Sequence, residues 1–148
     1  TVANSGTCYE LSLLDKLTDT SGNVLEEYTP KVRNHIELPT YEWNAVHQGM
    51  RRVIERKSYY DDMPVNVAGK TGTAQENRNR ANHALFVGYA PYENPEVAIA
   101  TRVAFGYTSE YAAEISRDVL RYYFAPEEEE DILTGGAIRP EAAATGGD

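Results

Sequence analysis

Three stretches with the composition of β-strands follow one another in this sequence, and the connectors between them are too short to hold a helix. We predict strands at 66–74, 83–90 and 96–105, joined by a polar loop at 75–82 and a turn at 91–95. Because consecutive strands with such short connectors are normally antiparallel neighbours, these residues predict an antiparallel sheet. The third stretch is almost entirely apolar, which indicates that it is the central strand.

A helix is predicted on each side of these strands in the sequence. The first, at 40–57, can be capped by Thr40 and has Glu42 in its first turn. Its apolar residues recur at helical spacing and are expected to form one buried stripe: Trp43, Val46, Met50, Val53 and Ile54. The second, at 109–124, has an equivalent inward stripe: Ala112, Ile115, Ser116, Val119, Leu120 and Tyr123. An antiparallel sheet flanked by helices makes the predicted fold class α/β, of the α+β type.

The residues before these elements predict only short pieces of structure. Residues 1–6 are expected to be the last turn of a helix, with Gly6 as its stop. Two short extended segments are predicted at 11–17 and 24–28, joined by a turn at 19–23. The longer regular elements are therefore expected further along the chain.

The formal net charge of −9 is unevenly distributed over the 148 residues. Residues 1–125 contain 13 basic and 16 acidic residues, whereas residues 126–148 contain one arginine and seven acidic residues. We therefore predict one folded unit over 1–125 and an acidic, disordered tail over 126–148. A chain with this charge balance is not expected to bind nucleic acid. No Cys/His spacing typical of a zinc site occurs, so no metal or cofactor is predicted.

The tripeptide Lys70-Thr71-Gly72, followed by Thr73, lies inside the first predicted strand. A lysine is a point cation with three donors, which suits a substrate carboxylate or the hydrogen-bond network around a nucleophile, and Thr71 adds a hydroxyl beside it. Gly69 and Gly72 leave room for a substrate backbone along the strand, whose outward N–H groups can stabilise an oxyanion. The alternative is an ordinary edge strand, in which the glycines mark a bulge and the lysine opposes aggregation.

Two further features border this strand. His83 opens the second predicted strand, and we interpret it as a hydrogen-bonded structural residue rather than a catalytic one. The polar loop 75–82 has two interpretations, a rim over the site or a solvated turn. Neither feature by itself predicts a function.

Several motifs resemble the C-terminal part of the transpeptidase domain of class B penicillin-binding proteins, which synthesise the cell wall. The stretch V-A-G-K-T-G-T-A-Q at 67–75 is close to the family's own, and K-T-G is one of the three motifs of these proteins. Four other stretches resemble family motifs and occur in the family's order. Residues 3–7 resemble the family's A-N-G-G, and residues 43–53 resemble its helix that ends in G-M-x-x-V. Residues 83–91 resemble its H-A-W-F-V-G-Y-A-P, and residues 94–98 resemble its N-P-E-I-A. The resemblance covers about residues 3–124.

This resemblance implies the penicillin-binding/serine β-lactamase-like transpeptidase fold and an acyl-transfer enzyme that needs no cofactor. In this family a serine attacks a D-Ala-D-Ala stem peptide of peptidoglycan and releases the last D-alanine. It then passes the acyl group to an amine on a neighbouring peptidoglycan strand. β-Lactam antibiotics acylate the same serine. The resemblance makes Lys70, Thr71, Gly72 and Thr73 the substrate-binding strand. It assigns the carboxylate to Lys70 and Thr71 and the oxyanion hole to the backbone N–H of Thr73.

The chain departs from the family pattern because it lacks S-x-x-K, which holds the nucleophilic serine and its neighbouring base. Each of its six serines fails this motif: Ser5, Ser12, Ser21, Ser58, Ser109 and Ser116. The tripeptide at 21–23 matches the family's S-x-N literally, but it follows the A-N-S-G stretch instead of preceding it, so we interpret it as a turn. We therefore expect the remaining part of the transpeptidase domain to be a required partner, and this chain alone to be inactive.

The resemblance also implies a location at the outer face of the bacterial cytoplasmic membrane, with the anchor in an N-terminal segment outside this chain. The stretch 102–107 and the pair Ala112-Ala113 resemble elongation-type proteins more than septal ones. Two alternatives stay open. One is a fragment of a serine β-lactamase, which shares K-T-G, and the other is a non-catalytic penicillin-binding module that senses or only binds.

Overall fold

The computed structural model of the protein describes residues 1–128. Its strands and helices are β1 (Thr7–Tyr9), β2 (Lys16–Thr18), β3 (Val24–Glu27), β4 (Val32–His35), α1 (Thr40–Ile54), β5 (Ala68–Ala74), β6 (His83–Ala90), β7 (Val97–Val103) and α2 (Ser109–Phe124). Short 3₁₀ turns at Ser58–Tyr60 and Pro126–Glu128 follow α1 and α2. The predicted disordered tail begins at residue 126, but Pro126–Glu128 form the 3₁₀ turn after α2. The rest of the predicted tail, from 129 onwards, lies outside the described residues, so its disorder stays a prediction.

Neither α1 nor α2 is long and apolar enough to cross a bilayer. The side chains of residues 1–128 include no group of three or more His, Cys, Asp or Glu residues that is placed to hold a metal ion.

β5, β6 and β7 form a three-stranded antiparallel sheet, as the short connectors predict. The prediction that the third strand is central is wrong, because β6 is the middle strand and β7 lies at the edge of the described sheet. The burial of β7 alternates along the strand, and every second residue is exposed: Ala98, Ala100 and Arg102. The two exposed alanines make the sequence of this strand apolar although one of its faces is open.

α2 has the predicted bounds and packs against one face of this sheet. Its N-cap residue is Thr108, whose side chain accepts the backbone N–H of Glu110 at 3.5 Å. The buried hydroxyl of Ser116 lies 2.7 Å from that of Thr101, which links α2 to β7. The core between helix and sheet contains residues from both: Ala84, Phe86 and Ala90 from β6, and Ala112, Ala113 and Leu120 from α2.

The predicted inward stripe of α2 is only half correct. Three of its six residues are buried, and the other three are about half exposed: Ile115, Val119 and Tyr123. Ala113, which lies outside the predicted stripe, is buried instead. Small side chains at the contact let the helix approach the sheet closely, so the larger apolar side chains lie on the flank of the helix.

α1 begins at Thr40 as predicted but ends at Ile54, three residues before the predicted end. The predicted cap is wrong. Pro39 is the N-cap residue, its carbonyl accepts the first N–H groups of the helix, and no side chain caps them. Trp43 and Ile54 are buried as predicted, but Val46 is 41% exposed, so the buried stripe is narrower than expected.

The residues before α1 form two small two-stranded sheets, β1 with β4 and β2 with β3. β3 agrees with the extended segment predicted at 24–28, but of the segment predicted at 11–17 only residues 16 and 17 lie in β2. The turn of the β2–β3 hairpin is held by Asp19, whose carboxylate accepts the backbone N–H groups of Ser21 and Asn23 and the side-chain amide of Asn23. The side-chain bond from Asn23 is the main reason that the pKa of Asp19 lies below its ordinary value. The tripeptide at 21–23 is therefore a hairpin turn.

Residues 1–6 contain turns but no assigned helix. The backbone N–H of Gly6 donates to the carbonyl of Thr1 at 2.9 Å, and Gly6 has a φ of +117°. The backbone N–H of Ser5 donates to the carbonyl of Val2 at 3.1 Å, and Ser5 has a left-handed φ of +53°. This pair of bonds is the one that ends a helix, with Ser5 in the stop position predicted for Gly6 and Gly6 one residue after it.

A polar cluster fixes the start of α2 to the segment that follows α1. Lys57 Nζ lies 2.6 Å from both carboxylate oxygens of Glu110, and the Tyr59 hydroxyl donates to the same carboxylate at 2.5 Å. The bond from Lys57 is the largest cause that lowers the pKa of Glu110, while burial and the nearby Glu110 raise the pKa of Tyr59. Arg117 also donates to the Tyr59 carbonyl at 3.1 Å. These bonds hold α2 in place beneath the sheet.

Candidate active site

The K-T-G strand, β5, lies at the edge of the three-stranded sheet. It pairs with β6 on one side, and no other strand of residues 1–128 pairs with its second side. The four residues predicted for the site, Lys70, Thr71, Gly72 and Thr73, all lie within this strand. An edge strand presents backbone N–H and C=O groups that an extended chain can pair with. In the described part of the protein, β5 therefore has an edge that suits a peptide-like ligand.

The register divides these side chains between the two faces of the sheet. Lys70 lies opposite Val87, which is 50% exposed, and Thr71 lies opposite Phe86, which is buried in the core with α2. Opposite residues of an antiparallel pair share a face, and successive residues alternate. Lys70 is therefore on the face away from α2, while Thr71 and Thr73 are on the α2 face. α1 covers the Lys70 face at Ala68 and Tyr89, and the face is open at Val87. A ligand paired with the edge of β5 would lie between these two sets of side chains.

Lys70 is exposed, and its ammonium group is turned onto the strand itself. Nζ donates to the carbonyl oxygen of Thr71 at 2.6 Å. The ion pairs found within residues 1–128 join other groups, so Lys70 has no carboxylate partner there. An exposed lysine beside an open strand edge is well placed to bind the carboxylate of a ligand.

Different contacts surround the two glycines of β5, and only one of the two positions requires a glycine for packing. Gly69 lies opposite Gly88, and the ring of Phe86 covers both. A Cβ atom at Gly69 would lie 2.7 Å from Cε2 of Phe86, closer than real Cβ atoms approach. Gly69 is thus explained by packing, not by room for a substrate. A Cβ atom at Gly72 would meet Leu85 at 3.4 Å, an ordinary contact distance, so packing within the described residues does not require glycine there.

The end of β5 is fixed by a histidine. Ala74 lies opposite His83, and the loop 75–82 connects the two. His83 is 6% exposed, its Nδ1 accepts the backbone N–H of Phe105 at 3.1 Å, and its Nε2 lies 2.7 Å from Oε2 of Glu76. The prediction that His83 is hydrogen-bonded is confirmed, and its role in the reaction stays a prediction. No sequence signal indicates its partners, since they lie 7 and 22 residues away and belong to no common motif.

Comparison with known proteins gives the family. Residues 1–121 match the sequence profile of the penicillin binding protein transpeptidase domain. The chain therefore belongs to the penicillin-binding protein transpeptidase family, and the prediction made from its motifs is confirmed. A relative, the peptidoglycan D,D-transpeptidase MrdA of Haemophilus influenzae, is 34% identical over 124 residues, which are 69% of this chain and 19% of MrdA. The chain thus spans about a fifth of the length of this relative.

Solved structures confirm the predicted fold class. Penicillin-binding protein A from Mycobacterium tuberculosis, as its imipenem acyl-enzyme complex, superposes with a TM-score of 0.72 at 23% identity and covers 83% of this chain. PBP2 of Pseudomonas aeruginosa, in complex with WCK 5153, superposes with a TM-score of 0.67 at 30% identity and covers 84%. In both cases the match covers 28% of the solved chain, so the larger part of those proteins has no counterpart here.

Proposed function

We propose that this chain is the C-terminal part of a peptidoglycan D,D-transpeptidase and that the rest of the domain supplies the nucleophilic serine. Membership of the transpeptidase family supports this proposal, as does the relative named a peptidoglycan D,D-transpeptidase. The likeness to a β-lactam acyl-enzyme complex supports acylation by β-lactams. The substrate is a stem peptide ending in D-Ala-D-Ala. Because S-x-x-K is absent from this sequence, the chain by itself is inactive.

In the proposed reaction, a serine Oγ gives its proton to a neighbouring base and forms an ester bond with the carbonyl carbon of the penultimate D-alanine. The amide C–N bond to the last D-alanine breaks, and the released nitrogen takes up the proton. An amine of a neighbouring peptidoglycan strand then attacks the ester, forms a new amide and returns the serine hydroxyl. With a β-lactam, the ring C–N bond breaks in the same way but the nitrogen stays attached to the acyl group.

Each residue of the K-T-G strand has a role in this proposal. Lys70 binds the terminal carboxylate of the stem peptide or the carboxylate of the drug through a charge-assisted hydrogen bond, and the Thr71 hydroxyl assists it. The backbone N–H of Thr73 stabilises the oxyanion that develops when the serine attacks. Gly72 leaves room for the backbone of the ligand along the strand edge.

The observation that most supports the proposal is the position of Gly72. It lies between the residues that bind the carboxylate and the oxyanion, and no contact within residues 1–128 accounts for the missing side chain. Gly69, three residues earlier, is accounted for by the ring of Phe86. A glycine that the fold does not need is expected where a ligand approaches the backbone.

This contrast predicts opposite results for two substitutions in the full-length protein. Gly72→Ala should leave the melting temperature almost unchanged but should slow acylation by a fluorescent penicillin about 10- to 100-fold, because the methyl group displaces the ligand. Gly69→Ala, the matched control, should destabilise the fold by about 1–3 kcal/mol through overpacking against Phe86. Stopped-flow acylation and thermal unfolding measure the two effects. Acylation of Gly72→Ala at the wild-type rate would contradict the proposed role of the strand edge.

Peptidoglycan lies outside the cytoplasmic membrane, so we also propose that the full-length protein works on its outer face. The anchor would belong to the part of the protein outside this chain. The open edge of β5 and the open face around Lys70 are then covered by the rest of the transpeptidase domain, which brings the serine to the K-T-G strand.

A further inference from the structure

His83 joins three segments at the end of the K-T-G strand. It contacts Glu76 in the loop that follows β5, and Arg102 Nη2 at the end of β7 lies 3.2 Å from its Nε2. Its Nδ1 accepts the backbone N–H of Phe105, and the two rings pack with their centroids 4.8 Å apart. The side chain is 7% exposed, so water cannot easily replace these partners. The histidine therefore ties the loop 75–82 to the segment after β7.

These contacts determine which tautomer the imidazole of His83 adopts. Because Nδ1 accepts a backbone N–H, it carries no proton, and the proton of a neutral ring is on Nε2. Nε2–H then donates to the carboxylate of Glu76 at 2.7 Å. The Arg102 guanidinium has only donors, so it acts as a cation beside this pair rather than as a partner of Nε2. A proton on Nδ1 would place two donors against each other at Phe105.

The segment held by His83 has a backbone that is otherwise unfavourable. Phe105 and Tyr107 have φ values of +55° and +62°, in the left-handed region that non-glycine residues rarely adopt. Both N–H groups donate to the start of β6 or the residue before it, Phe105 to His83 and Tyr107 to the carbonyl of Asn82 at 3.1 Å. Arg80 of the loop lies over the ring of Phe105 at 5.3 Å. Such a conformation persists only where the surroundings hold it.

We propose that His83 is a positioning residue for acyl transfer. By holding the loop 75–82 to Phe105, it fixes the C-terminal end of β5 and with it the backbone N–H of Thr73. This inference rests on the proposed function. His83 touches no reacting atom in this account. His83 can act without such a contact because its cross-strand partner is Ala74. The residue before Ala74 is Thr73, the proposed oxyanion donor.

The test uses the full-length protein and a fluorescent penicillin, with the dissociation constant of the first complex and the acylation rate constant measured separately. His83→Ala should lower the acylation rate constant about 10- to 100-fold while the dissociation constant stays within about threefold, because a displaced oxyanion donor weakens the transition state more than the ground state. His83→Asn should recover most of the rate, since its Oδ1 can accept the Phe105 N–H. Arg78→Ala, an exposed change in the same loop, is the control and should behave as wild type.

The outcomes separate the inference from the proposed function. A wild-type protein that no penicillin acylates would contradict the proposed function, and the inference with it. A wild-type protein that is acylated, together with an equally fast and folded His83→Ala, would overturn the inference alone. A folded His83→Asn as slow as His83→Ala would also overturn it. If His83→Ala fails to fold, Glu76→Ala decides. It should slow acylation about three- to tenfold, and an unchanged rate would refute the positioning role.

Discussion

Replacing Lys70 by alanine in the full-length protein should lower the second-order rate constant of acylation by about 30- to 1000-fold. The change removes a charge-assisted hydrogen bond to the ligand carboxylate, a loss of about 2–4 kcal/mol in the transition state. Thr71→Ala keeps the charge and removes one hydroxyl donor, so its effect should be smaller, about tenfold. Time courses of acylation at several β-lactam concentrations give the rate constants of each variant.

Lys16→Ala is the matched control for Lys70→Ala. Lys16 is an exposed lysine in a short strand outside the main sheet, so its loss should leave acylation unchanged. If Lys70→Ala and Lys16→Ala were acylated equally fast, Lys70 would have no role in binding the carboxylate. The K-T-G strand would then be an ordinary edge strand.

Replacing Thr73 by proline should be as severe as the loss of Lys70, about 100- to 1000-fold, because proline has no N–H for the oxyanion. Thr73→Ala keeps that N–H and should be the mildest change in the strand. The two variants together separate the backbone from the side chain. Acylation as slow in Thr73→Ala as in Lys70→Ala would assign the role to the hydroxyl.

The stability of Thr73→Pro gives a second check. Proline is tolerated in an edge strand where the lost N–H faces away from the sheet. The proposal therefore predicts a folded variant that is nearly inactive. If Thr73→Pro failed to fold while Thr73→Ala stayed folded, the N–H would belong to the ladder with β6. It would then be unavailable to an oxyanion.

The sequence predicts the elements that local rules determine. β6 and α2 have the predicted bounds, because alternating or helical spacing of apolar residues is a local property. The antiparallel pairing of β5, β6 and β7 follows from short connectors, and a connector is also read directly from the sequence. The K-T-G motif is placed correctly on β5 for the same reason.

The errors concern features that depend on neighbours in space. The apolar run of β7 predicts a central strand, but its alanines are small enough to be exposed without cost, and only the pairing decides which strand is central. β1 and β4 are three and four residues long and pair across about twenty residues, so neither has a recognisable pattern of its own. Thr40 has a suitable side chain for a cap, but the chain enters α1 through Pro39.

The same limit applies to the site. Sequence alone suggests that Gly69 and Gly72 serve one purpose, and only the ring of Phe86 separates them. The pairing of His83 with Phe105 joins residues 22 apart through a backbone N–H, which no side-chain motif can indicate. What the sequence predicts well is the identity of the K-T-G strand. What it cannot give is the set of contacts that hold the strand in place.

The central claim is that this chain provides the K-T-G strand and that a serine outside it is acylated. Its most direct test is to treat the full-length protein with a β-lactam, digest it and locate the added mass by mass spectrometry, with residues 1–148 alone treated in parallel. The account predicts the adduct on a serine of an S-x-x-K sequence before residue 1, and none on the isolated chain. An adduct on Ser5, Ser12, Ser21, Ser58, Ser109 or Ser116 would contradict it.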